Sequence, residues 1–268
     1  MSRFNFYYDK KSYFCYTEQM KKLFPFFAIF FSLSAVAFAA NLNYQSPTGH
    51  FSIALPADWE EIPQDTINQF VEAVMDSNTT TTAPKYTAGF QVQNQDYFVY
   101  PYLLIEEHDA NSPTYSEILN EFSSNNLPEK ANDKMQDVSG LIKNATFDKP
   151  YLDQNRQAIF MNSIIETNSG LGDNVKSLTV LFPGKNAIIQ LSFSALQSEY
   201  EKNFPNFESV INSFKYNSGY EYAGPQTKKA AGIFGGGYLE DAIIVIVIFL
   251  LTFIIGRFFK KKRASNAI

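Results

Sequence analysis

Residues 175–193 read VKSLTVLFPGKNAIIQLSF. Two runs dense in Val, Ile, Leu and Phe flank Pro183-Gly184-Lys185. β-Branched and aromatic side chains pack well on a pleated surface and lose rotamer freedom in a helix. Proline presets one backbone angle and glycine accepts a positive one, the chemistry of a tight turn. The stretch therefore predicts an antiparallel hairpin with strands at 175–182 and 186–193.

Working outward, residues 157–167 (QAIFMNSIIET) read as another strand of the same kind. Residues 86–92 and 98–106 form a second expected hairpin around Asn94-Gln95-Asp96. Residues 51–56 (FSIALP) alternate apolar and polar, a half-buried strand ended by Pro56. Trp59, the only tryptophan, follows in the expected turn, packed over the sheet edge. Three helices complete the pattern. Pro63-Gln64-Asp65-Thr66 opens the first, with Ile67, Phe70, Val71 and Val74 on one face. Ser112-Pro113-Thr114 opens the second, with Ile118, Leu119 and Phe122 inward. The third, 197–214, carries Tyr200, Phe204, Phe207, Val210, Ile211 and Phe214 at helical spacing, with Pro205 as a kink or an N-terminal break. These aromatics read as core. Residues 77–82 read as a polar loop, and 125–144 as a short helix followed by a strand. The sum is an α+β fold over 41–222: a single, mainly antiparallel sheet covered by helices, an α/β/α sandwich.

The two ends of the chain have another character. Residues 242–256 (AIIVIVIFLLTFIIG) carry no charge and only Thr252 as a hydroxyl. As a helix these 15 residues rise about 22 Å, less than the ~30 Å hydrocarbon core. Extension to 238–259 gives 22 residues, with Glu240, Asp241 and Arg257 near the ends, where they reach headgroup depth. Arg257, Lys260, Lys261, Lys262 and Arg263 mark the cytoplasmic side. We expect a transmembrane helix at 238–259 and a basic cytoplasmic tail at 260–268. Met20-Lys21-Lys22, an apolar run and Ala37-Phe38-Ala39 make an expected secretory signal at 20–39. Residues 1–19 hold Asp9, Glu18 and the only cysteine, Cys15, and read as an extension upstream of the true start at Met20. Residues 223–237 are a glycine-rich linker ending in Gly235-Gly236-Gly237.

Residues 41–237 contain 23 acidic and 12 basic residues, a net charge of −11. Nucleic-acid binding needs a positive footprint, so that class is excluded. Solubility explains the excess; basic partners or divalent cations are the other reading. Without cysteine the domain has no disulfide and no thiolate metal site.

The chemistry-bearing residues are few. His50 and His108 are the only histidines. Glu106-Glu107-His108-Asp109 is the densest polar cluster; a strand end there offers alternate carboxylates to a cation, while a solvated loop is the simpler reading. Asp148, Asp153 and Asp173 are isolated loop acids. Asn78-Thr79-Thr80 and Asn144-Ala145-Thr146 match the glycosylation pattern. No catalytic, cofactor or metal residues are assigned, and no cofactor is expected.

Tyr44-Gln45-Ser46-Pro47, Phe51-Ser52-Ile53-x-Leu55-Pro56-x-x-Trp59 and the closing Phe207-x-x-Val210-Ile211-x-Ser213-Phe214 resemble the PsbP-like proteins of the photosystem II periphery and their bacterial relatives. The resemblance covers both ends of the domain and implies a non-enzymatic α/β/α sandwich that binds partners. The tail resembles the Gly-Gly C-terminal sorting signals cleaved by rhomboid-type proteases; a flexible linker is the plainer reading. The expected function is that of a single-pass envelope protein, anchored in the bilayer, whose exported domain binds a protein partner or assists a membrane complex. The rival is a cation-dependent hydrolase built on carboxylates and His108.

Mature protein taken from the envelope should begin at residue 40 or 41. Edman or mass-spectrometric sequencing of immature and mature forms checks this, and peptides from 4–16 would overturn the Met20 start.

Overall fold

The 175–193 hairpin lies inside a broad sheet. Its strands are β9 (Val175–Pro183) and β10 (Ala187–Leu196), closed by a Gly184 N–H to Ala187 carbonyl bond of 2.8 Å. The structure is a computed structural model, and it describes residues 42–74, 85–109, 114–124, 142–167 and 173–222. The expected extension, signal, linker, anchor and tail lie outside these residues, as do loop 77–82, most of 125–144, and Asn78. Among the described residues no helix is long and apolar enough to cross a membrane.

The large sheet has eight strands. β3 (Trp59–Glu61), β4 (Tyr86–Val92) and β5 (Tyr102–Asp109) lead to β10, then β9, β8 (Ala158–Thr167) and β6 (Ile142–Phe147). The three-residue β7 (Tyr151–Asp153) also pairs with β8. A second sheet of three strands is formed by β1 (Leu42–Gln45), β2 (Phe51–Leu55) and β11 (Lys215–Tyr216). Every pairing is antiparallel.

The chain is α+β with a mainly antiparallel large sheet, as expected, but the single sheet is corrected, because a second sheet of three strands is present. On one face of the large sheet, Leu103, Ile105, Leu178, Val180, Ile189, Leu191 and Phe193 meet two neighbours in one core. Phe51, Ile53 and Leu55 of β2 supply part of the cover. The closing helix, here α3 (Tyr200–Ser213), supplies Tyr200, Phe207, Val210 and Ile211. A helix and a small sheet thus share one layer. β1 and β11 flank β2 and satisfy its backbone, which a lone buried strand could not do. Neither LNYQ nor KY is long enough to show a periodicity.

On the opposite face, α1 (Gln64–Val74) lies over β4. Ile67 and Val71 pack with Ile62, Tyr86, Tyr102 and Leu104. α2 (Tyr115–Ser124) buries Ile118 completely. Three further boundaries differ from the sequence reading. β5 begins at Tyr102 rather than 98, because Pro101 has no N–H to give a ladder. Trp59 opens β3 instead of occupying a turn, and its ring meets Phe207 edge-on at 6.5 Å. Pro205 lies inside α3, after a short 3-10 turn at Gln197–Glu199, and the helix runs through it.

Gly89 sets the distance between α1 and the sheet. A β-carbon there would lie 2.7 Å from Leu104 Cδ2 and 3.0 Å from Ile67 Cδ1. Both side chains are at most 1% exposed, so neither can yield freely. Gly89→Ala should therefore destabilise the domain by about 1–3 kcal/mol through overpacking. Urea unfolding checks this, and an unchanged midpoint would show that the layer is looser than its contacts indicate.

Candidate functional site

Of the two readings of residues 106–109, a strand end and a solvated loop, the structure has the strand end. They form the last half of β5, so alternate side chains point to opposite faces. Glu107 and Asp109 share the face of the small sheet, while Glu106 and His108 take the other.

Glu107 gathers three donors from the loop after β1. Ser46 Oγ donates at 3.2 Å and Thr48 Oγ1 at 2.8 Å, and the His50 Nδ1 contact completes the set. The His50 ring packs on Tyr220 at 4.2 Å. The His50 carbonyl accepts from Asn217 N at 2.8 Å, and the Tyr220 carbonyl from Lys185 N at 3.1 Å. The two hydroxyls are spent on the carboxylate, whereas nucleophilic catalysis needs a hydroxyl held by the imidazole. The cluster ties both ends of the domain to β5.

On the other face, Gln190 Nε2 donates to Glu106 Oε1 at 3.1 Å, and His108 Nε2 stands 3.6 Å from Glu106 Oε2. Tyr86 lies directly across the ladder from Glu106, and its buried hydroxyl has no hydrogen-bond partner. Burial, and then the Glu106 charge, push this phenol well above its usual range. Burial also pulls His108 down to about 4, against the opposing pull of Asp109. At 3.6 Å the Glu106 approach is too long for a hydrogen bond, so desolvation dominates. Beyond this pair, Ser163, Ser177 and Ser194 stand in one cross-strand row and are buried; Ser177 and Ser194 share a hydrogen bond of 2.8 Å. These small hydroxyl side chains are interior.

The isolated acids serve local structure. Asp153 accepts from Arg156 Nη1 at 2.7 Å and from the backbone of Asn155 and Arg156, and these bonds, led by the Arg156 side chain, hold its carboxyl below the usual range. Asp173 receives Ser198 N at 2.8 Å at the entry to the 3-10 turn, and is likewise held low by Ser198. Asp148 bonds through its backbone to Asn162. Asn144 lies in β6. Among the described residues no group of three or more His, Cys, Asp or Glu could hold a metal ion.

The sequence reading passed over a groove of about 260 Å³ between α3 and β7–β9. Its apolar floor is Phe160, Leu178 and Ile211, all buried. Tyr151, 53% exposed, stacks on Phe160 with ring centroids 5.5 Å apart. Glu201 and Glu208, seven residues apart on α3, project to the same side about 10 Å from one another. Each takes a cation from the sheet side: Lys176 Nζ at 2.9 Å from Glu201, and Arg156 Nη2 at 2.8 Å from Glu208. Asn212 and Asp153 engage the rest of the Arg156 guanidinium. The Lys176 ammonium also sits 3.9 Å from the centre of the Tyr200 ring. One signal could have found the place: Arg156 is the only arginine between residues 41 and 237.

His108 makes stability depend on pH. Its folded value of about 4 is below the ordinary 6.5, so between those values the unfolded chain binds more protons. Stability is full above about pH 6.5 and falls as pH drops towards 4. The loss due to this group is on the order of 1–3 kcal/mol. His108→Gln should flatten that part of the pH profile in urea unfolding, and an unchanged slope would assign it elsewhere.

No known family model matches the chain, and no curated protein matches it. Among solved structures it is similar to PsbP (CyanoP) of the cyanobacterium Synechocystis, at 14% identity and a TM-score of 0.39, over 69% of this chain and 96% of that one. It is similar to LpqN, involved in cell envelope biogenesis of Mycobacterium tuberculosis, at 12% identity and a TM-score of 0.36, over 66% and 90%. A protein of Bacteroides thetaiotaomicron matches at 14% and 0.31, over 67% of this chain and 50% of that one. The PsbP-like resemblance carried by the two ends of the domain is present among these neighbours.

Proposed function

We propose that the chain is a single-pass envelope protein whose exported domain binds a protein partner through the α3 groove, and that it is not an enzyme. The observation that supports binding is the groove itself. It has an apolar floor, an exposed aromatic at its mouth and charged side chains that bond to one another at its rim. Both histidines lie beside carboxylates of β5, away from it. Membrane attachment rests on the apolar run 242–256 with its basic flank, and export on the signal pattern at 20–39.

The cysteine-free domain makes topology easy to test. Tyr97→Cys, at a side chain 44% exposed, should react with a membrane-impermeant maleimide in intact spheroplasts. Ala264→Cys should react only after permeabilisation; the opposite pattern would overturn the orientation. A photo-crosslinking residue in place of Tyr151 should join one recurrent partner at native abundance, while one in place of Tyr97 should not. Absence of any partner from position 151 would retire the binding reading.

A further inference from the structure

The groove is divided into a polar end and an apolar end. On the inner face of β8 and β9, Asn162 stands opposite Leu178, and Ile164 stands opposite Lys176. Asn162 and Lys176 are therefore diagonal neighbours within reach of one small group. Phe160, across from Val180, lies one step further along β8, beneath Tyr151. No side-chain hydrogen bond engages the Asn162 amide among the described residues. The buried Tyr200 hydroxyl of α3, which also lines the groove, lacks a hydrogen-bond partner too.

Exposure separates the two members of the nearby ion pair. The Lys176 side chain is 24% exposed and that of Glu201 is 80% exposed. The cation is fixed in the wall, over the Tyr200 ring, while its acid is largely in water. An exposed pair of this kind contributes little to stability, so Glu201 is easily exchanged for another carboxylate. Arg156 differs: Asp153, Glu208 and Asn212 occupy its three nitrogens. It serves as a wall, and Lys176 is the cation open to exchange. At about 260 Å³ the space is just below the usual range of ligand pockets, about 300–1,000 Å³, and suits a small group.

We propose that the groove binds a monocarboxylate with an aromatic or branched apolar body. The carboxylate displaces Glu201 from Lys176 and takes the Asn162 amide as its second donor. The body lies on Phe160 and Leu178, against Phe204. This rests on reading the groove as the domain's binding site. The same chemistry is offered by a free aryl-alkyl acid and by the C-terminal residue of a protein chain.

The test is calorimetric titration of the detergent-solubilised full chain with 3-phenylpropionate and with the peptide acetyl-Gly-Gly-Phe, each as free acid and as amide. At least one free acid should bind at or below about 1 mM, the range for a fragment of this size, and its amide at least tenfold more weakly. Preference for the peptide assigns the source to a chain terminus, and preference for the small acid assigns it to a metabolite. Lys176→Met should weaken binding about tenfold. Glu201→Gln, at an exposed position that leaves folding untouched, should strengthen it several-fold by removing the competing carboxylate. Equal binding of acid and amide, no binding by either acid, or weaker binding in Glu201→Gln would overturn the proposal. If no acid binds while the crosslinker at 151 still captures its partner, the binding site stands and the carboxylate assignment falls.

Discussion

Strand β10 is the constraint on which the rest of the domain depends. Nine of its ten residues are buried, and it pairs along its length with β5 on one side and β9 on the other. A strand in that position must bury both faces. The apolar face, Ala187 to Ala195 in steps of two, calls for a cover that β2 and α3 provide together. The other face carries Gln190, Ser192 and Ser194, whose polar groups need partners from neighbouring strands. Glu106 and Ser177 supply them to Gln190 and Ser194, while Ser192 accepts from Gln190 of its own strand. The buried carboxylate and the serine row thus answer the polar residues that a central strand places on its second buried face.

A domain without cysteine has to secure its ends in another way. Glu107 does so, accepting from Ser46, Thr48 and His50, while the His50 carbonyl and ring hold Asn217 and Tyr220. These bonds are part-buried or exposed, so water competes for each of them and they act by joining distant segments more than by their individual strength.

The long hairpin was legible because its information is local: two β-rich runs and a Pro-Gly turn within 19 residues. The three helices were legible from their spacing for the same reason. β1, β3, β7 and β11 were not, since two to four residues carry no period, and each exists only because a distant strand offers it an edge. The charge run at 106–109 stayed ambiguous for a related reason. The solvated-loop reading gave way to the strand-end one because Gln190, 84 residues away, and the loop at 46–50 supply partners. The groove was the least legible feature, because the Arg156–Glu208 and Lys176–Glu201 pairs join positions 52 and 25 residues apart. Its aromatics were indistinguishable from core until their one open side was seen.

That open side also limits what the charges at the rim can do. Exposed ion pairs are weak and are screened within about 8 Å at physiological salt. Attraction at the rim therefore sets orientation more than affinity, and the larger share must come from apolar area covered on Phe160, Leu178 and Tyr151. The excess of acid elsewhere on the domain acts in the same direction. It repels anions at long range, so an acid that reaches Lys176 has to be held by its apolar body. Selectivity then lies in the joining of the two ends, which neither a bare anion nor a bare hydrocarbon satisfies.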